Sequence, residues 1–215
     1  MDELKLWSIP ISEDGFEVAW GRLPDSERER ALRFHHRSDS LRSGISRGAL
    51  RTILGEMLGL APQDVPLEFG LHGKPKIPGS RIGFNASHAG DWVWIAAVED
   101  HEVGVDIEQI RPRVASNQIF KRFASPEEIV HFESTPSNDQ DRAFFTWWTR
   151  KEAFMKGLGC GIAGDLRSST VWLGTQEPKM VEDWSVHSLD APPGYCGGLA
   201  VQAESFRVQM CEWNW

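Results

Sequence analysis

Only three cysteines, Cys160, Cys196 and Cys211, occur in 215 residues, and none belongs to a Cys-x-x-Cys pair. An odd count without paired spacing argues against a disulfide framework or a zinc site and for a reducing compartment. No apolar run approaches the ~20 residues of a membrane span. Residues 1–5 show no basic stretch leading into an apolar one, so a soluble, cytoplasmic protein is expected, and a monomer is the accompanying expectation. Tyrosine occurs once, which leaves aromatic packing to ten tryptophans and eleven phenylalanines. Most of these belong in a core, because each buries a large apolar area. Walker-type and Gly-x-Ser-x-Gly loops are absent. The glycines after Lys156 follow a helical pattern rather than a strand, which excludes a dinucleotide fingerprint. His35, His36 and His101 show no metal-ligand spacing.

Hydrophobic residues make up 40% of the chain and charged residues 25%, enough for a packed core and too apolar for disorder. The net charge of −8 is uneven. Residues 22–51 hold eight arginines against four acids, so the remainder is correspondingly more acidic. Such a chain is a poor general nucleic-acid binder, and neither nucleic acid nor membrane is expected as a partner. The basic segment suits a compact polyanion such as a nucleotide, or equally a solvated helix with Glu–Arg pairs at helical spacing.

Periodicity predicts a strand over residues 4–9, a helix from Pro24-Asp25-Ser26 to about 34, and a second helix from Ser38-Asp39 to Gly59. Leu41, Ile45, Ala49, Ile53 and Met57 form the apolar stripe of that second helix. Strands are predicted at 67–69, 82–86, 92–98 and 103–107, with His72-Gly73-Lys74-Pro75 as a turn. Ser125-Pro126-Glu127-Glu128 is a capping box that starts a helix, and a long helix runs from about 140 to 158. Further strands are predicted at 169–173, 184–189, 198–202 and 206–211. The economical architecture is α/β (α+β): a pseudo-dimer of two similar subdomains, residues 1–104 and 105–215, joined near 103–113. Each would pack helices on a small, mainly antiparallel sheet.

Two segments carry the chemistry. In Gly104-Val105-Asp106-Ile107-Glu108, alternation along a strand puts both carboxylates on one face. Two neighbouring carboxylates repel, and a hard cation such as magnesium relieves that. A solvated strand face is the plainer alternative. In Trp148-Thr149-Arg150-Lys151-Glu152-Ala153-Phe154-Met155-Lys156, helical spacing sets Glu152 in a stripe with Phe145, Trp148 and Met155. A carboxylate there needs a partner. Lys156, one turn on, can pair with it or face a ligand. Lys74 in its tight turn and the Asn85, Ser87 and His88 cluster at a strand end offer donors to a phosphate or nucleotide.

In this order, Gly73-Lys74-Pro75, Phe84-Asn85-Ala86-Ser87-His88 and the two segments above resemble the motifs of the Sfp-type 4′-phosphopantetheinyl transferases. The resemblance runs from about residue 26 to 161. It implies a pseudo-dimeric α/β fold with coenzyme A and magnesium in the cleft between subdomains. It implies transfer of the phosphopantetheine arm of coenzyme A to a serine of an apo acyl, peptidyl or aryl carrier protein. By motif position, Asp106, Glu108 and Glu152 would ligate magnesium, with Glu152 also the group that takes the serine proton. Lys151 and Lys156 would bind the pyrophosphate. Lys74, Pro75, Asn85, Ser87 and His88 would line the nucleotide end, with His88, Arg42 and Arg37 near the 3′-phosphate. Ala86 and Ala89 stand where many members carry larger or more polar residues. Lys121-Arg122-Phe123 with residues 126–132 is the candidate carrier-docking patch. A magnesium-dependent nuclease or nucleotidyl transferase, and a non-catalytic binding module, remain alternatives on the residues alone.

Overall fold

The computed structural model describes residues 2–70, 73–111, 116–161, 166–172 and 174–215. Of the features expected above, His72, Arg113 and Leu173 lie outside those residues.

Strand β1 (Asp2–Pro10) is followed by α1 (Glu13–Gly21), α2 (Asp25–Leu32) and α3 (Arg37–Leu58). The sequence predicts no element at α1. It is only nine residues long, too short for a persuasive period, although Ser12 caps it by accepting from Gly15 N at 3.0 Å. Ile45, Ala49 and Ile53 form the expected buried stripe of α3. Gly59 ends that helix in the left-handed region at φ 68°, where a side chain would be strained. A two-residue pairing of β2 (Glu68–Phe69) with β3 (Pro75–Lys76) precedes the hairpin β4 (Ile82–Ala89) and β5 (Trp92–Glu99).

The second half runs β6 (Val103–Gln109), α4 (Ser116–Phe123), α5 (Pro126–Glu133), α6 (Gln140–Leu158), β7 (Lys179–Val181), β8 (Trp184–Leu189), β9 (Tyr195–Val201) and β10 (Phe206–Cys211). Both halves of the predicted capping box are present at the start of α5. The strand predicted at 169–173 is not found over 169–172. Side chains hold its backbone instead: Val171 N donates to Glu128 at 2.8 Å, and Arg150 donates to Val171 O at 3.2 Å. With those groups satisfied, no ladder is required.

Two four-stranded sheets result, ordered β10-β1-β5-β4 and β6-β9-β8-β7. In each half the first strand pairs antiparallel with the second strand of a later hairpin, and helices lie between them in sequence. The run β1-β5-β4 thus answers to β6-β9-β8, which is the repeated α/β fold that was expected. One element departs from it. The last strand, β10, returns to the first sheet and pairs parallel with β1, from Asp2↔Phe206 to Trp7↔Cys211. Strand β6 spans the 104/105 division expected from sequence, and β10 crosses back to the sheet of the first half.

Alternation along the strands sorts the core into layers. Ile9, Val93, Ile95 and Ala97 face α1 and α3. Leu4, Leu6, Trp94 and Ala96 face the second sheet, against Val103, Val105, Ile107 and Leu199. The opposite face of the second sheet carries Ala200 and Val186 against Ala153, Phe154 and Trp147 of α6. The order is helices, sheet, sheet, helices. Glycine permits the tightest of these contacts: a Cβ at Gly104 would lie 1.9 Å from Ala153 O, and one at Gly198 would lie 2.3 Å from Thr149 O. The glycine of Gly-Val-Asp-Ile-Glu thereby seats α6 directly on β6.

Candidate active site

Because Val105 and Ile107 enter the core between the sheets, Asp106 and Glu108 face the side covered by α6. The alternative of a solvated strand face does not hold, since Asp106 is only 3% exposed. One of its oxygens, Oδ1, accepts from Lys156 Nζ at 2.6 Å and from Ser87 Oγ at 2.7 Å. Lys156 also donates to Ser87 Oγ at 2.8 Å. The other oxygen, Oδ2, is buried and has no hydrogen-bond partner among the described residues. A buried, unpaired carboxylate oxygen is costly.

Glu108 and Glu152 are half-buried beside this group. The Glu108 carboxyl is pushed up to about 7, first by burial and next by Asp106, against the opposing pull of Lys156. Glu152 is also raised, again by burial first and then by Asp106, with Lys156 opposing. Three acids thus meet with one ammonium between them. These oxygens could hold a hard cation, and the unpaired Asp106 Oδ2 fits one. Among the described residues, no three His, Cys, Asp or Glu side chains form a ready-made metal group.

A cleft of about 890 Å³ opens where β4 and β6, edge strands of their sheets, come together. Lys74, Pro75, Asn85, His88, Arg42, Glu108, Glu152 and Lys156 line it. His88 is exposed to the open cleft, yet its pKa is lowered, first by the desolvating walls and then by Lys156 and Arg42. Arg42 donates to Gly90 O at 3.2 Å and pairs with Asp39 at 2.9 Å. Asn85 contributes to the wall while its Oδ1 accepts from Val105 N at 3.0 Å, tying β4 to β6.

Three residues are not where the motifs would put them. Lys151 does not reach the cleft. It is fully buried, 3.1 Å from Glu128, and it donates to Ser169 O. Position 151 lies about 100° around the helix from Glu152, which turns it into the core. Arg37 lies off the cleft, paired with Glu13 at 2.5 Å and stacked over Phe16. Ser87 is buried behind the wall, between Asp106 and Lys156. Residues not singled out beforehand take their place. Arg30, Arg47, Arg51 and Arg111 line the cleft, and Arg47 lies 4.8 Å from the centre of the Phe69 ring. The arginine excess of residues 22–51 was the signal for three of them.

A cleft lined by arginines, with one buried and two half-buried acids beside it, suits a phosphate-bearing substrate, and sequence comparison identifies the family. A model of the 4′-phosphopantetheinyl transferase superfamily matches residues 102–200, and one of the 4′-phosphopantetheinyl transferase N-terminal region matches residues 6–100. The chain belongs to the 4′-phosphopantetheinyl transferase family. The 4′-phosphopantetheinyl transferase HetI of Nostoc sp. is 33% identical, over 100% of this chain and 93% of its own length. The 4′-phosphopantetheinyl transferase psf-1 of Bacillus pumilus is 39% identical over 86% and 83%. Sfp of Bacillus subtilis is 30% identical over 89% of each.

Proposed function

We propose that this protein moves the 4′-phosphopantetheine arm of coenzyme A onto a serine hydroxyl of an apo carrier protein, with magnesium, and releases adenosine 3′,5′-bisphosphate. The observation that carries the reading is the electrostatic coupling of Asp106, Glu108 and Glu152 beside a cleft lined by arginines and Lys156. The three acids would hold the magnesium, which when bound would neutralise pyrophosphate oxygens and stabilise the charge that develops there. Lys156 holds a fixed positive charge beside them. Glu152 takes the serine proton, directly or through a water. The serine oxygen bonds to the β-phosphorus as the bond from that phosphorus to the bridging oxygen breaks. His88 and Arg42 serve the 3′-phosphate end of the substrate.

For the carrier, the exposed surface around Arg122, Phe123 and Val130 is the docking patch. Val130 is 66% exposed, and Arg122 stacks over Phe123 at 5.1 Å. This joins apolar area to positive charge, which suits an acidic partner. We take the enzyme to act as a monomer in the cytoplasm. No helix among the described residues is long and apolar enough to cross a membrane. Calorimetric titration of coenzyme A with and without magnesium tests the substrate directly. Saturable binding that tightens with magnesium is expected, and no binding in either condition would rule the reading out.

A further inference from the structure

Lys74 lies between β2 and β3, in the N-terminal half, yet its ammonium reaches across to the other half while a carboxylate of its own half, Glu102, pairs with it. It donates to Gly157 O at 2.6 Å and to Glu102 at 2.5 Å. Gly157 O is among the last four carbonyls of α6, which have no partner within the helix. A cation at a helix C-terminus is also favoured by the helix dipole. The lysine stem follows the chain as it leaves α6: a Cβ on Gly159 would meet Lys74 Cδ at 3.3 Å. Behind it lies a second hollow of about 390 Å³, lined by Glu102, Gly157, Leu158, Trp184 and Gln202. Lys74 borders both this hollow and the main cleft, so it forms the partition between them.

We propose that Lys74 is a positioning residue, a cap supplied by one subdomain to the C-terminal end of α6 in the other, and not a donor to substrate phosphate. Glu152 and Lys156 lie in the last two turns of that helix. Fixing its end fixes their distance from the N-terminal wall of the cleft. Glu102 neutralises the ammonium and holds it toward the second hollow, so Lys74 adds no net charge to the substrate side. The inference rests on reading this cleft as the transferase site.

The test uses the full chain with Lys74→Met, Lys74→Arg and Glu102→Gln. Three quantities are measured: amide hydrogen exchange over residues 155–159 without substrate, coenzyme A affinity by calorimetry, and kcat on a carrier domain. For Lys74→Met, exchange at 155–159 should speed up by about tenfold and kcat should fall, while coenzyme A affinity stays within about threefold. Lys74→Arg should restore both, because a guanidinium reaches the same acceptors. Glu102→Gln should accelerate the same amides to a lesser degree, and it stands in if Lys74→Met does not fold. Unchanged exchange in Lys74→Met and Glu102→Gln would overturn the proposal. So would a tenfold loss of coenzyme A affinity in Lys74→Met with exchange unaltered, which would make Lys74 a phosphate ligand. If the unaltered protein neither binds coenzyme A nor turns over, the functional reading fails, while the exchange measurement still decides whether Lys74 caps α6.

Discussion

Asp106 shows how one carboxylate can serve two masters. Its Oδ1 is held by Lys156 and Ser87, while Oδ2 is buried with no partner among the described residues. Burial first, and then the same negative charge, raises the pKa of both Glu108 and Glu152. Glu108 and Glu152 can each take a proton without giving up an ion pair to a described residue, whereas Asp106 is paired with Lys156, and the motif position of Glu152 on α6 makes it the base in the proposed reaction. Glu152→Gln keeps the size of the side chain and removes the base. It should cut turnover by roughly 30-fold or more, about 2 kcal/mol of transition-state stabilisation, with the thermal midpoint preserved. Near-normal kcat at saturating magnesium would take Glu152 out of the reaction.

Helix α6 presents three consecutive charged residues, one to the cleft and two to the interior. Glu152 faces the cleft. Arg150 and Lys151 turn inward and hold the segment after the helix, Arg150 through Val171 O, Gln176 O, Glu177 O and Ser188. The Lys151–Glu128 pair is fully buried, and Glu128 also closes the capping box of α5. Removing one partner of such a pair strands a charge, so Lys151→Met should cost about 3–5 kcal/mol in denaturant unfolding. A loss no larger than that of a surface substitution would show the pair to be dispensable. In β8, His187 lies against Phe206 of β10 and within 2.7 Å of Ser185 Oγ. Burial, and then Arg150, lowers its pKa to about 4, from an ordinary value of 6.5. The folded state therefore binds fewer protons than the unfolded state between those values, and stability should fall as pH drops through that window. Thermal melts from pH 7 to pH 4 should show a shallower decline for His187→Gln than for the unaltered protein. Equal slopes would assign the loss to other groups.

For the molecule as a whole, the function depends on a seam that neither half makes alone. Asn85 reaches Val105, Ser87 and Lys156 meet at Asp106, and Lys74 reaches Gly157, all across the line between β4 and the second subdomain. Much of this was legible in the sequence. The stripe of α3, the capping box of α5 and the two-residue alternation of Asp106 and Glu108 are local signals, and the structure keeps them. What was not legible depends on distant partners. Lys151 counts as polar in any periodicity, so its burial shows only once Glu128 is placed opposite it. The parallel pairing of β10 with β1 joins opposite ends of the chain and leaves no mark in either strand. Ser169–Trp172 reads as β-rich, but its backbone is claimed by Glu128 and Arg150.

The most direct measurement is intact mass spectrometry of an apo carrier domain incubated with this protein, coenzyme A and magnesium. The carrier should gain the mass of one phosphopantetheine group, on its serine, and the gain should disappear with Glu152→Gln. A carrier unchanged in mass across acyl, peptidyl and aryl carrier domains, from a preparation that binds coenzyme A, would contradict the account.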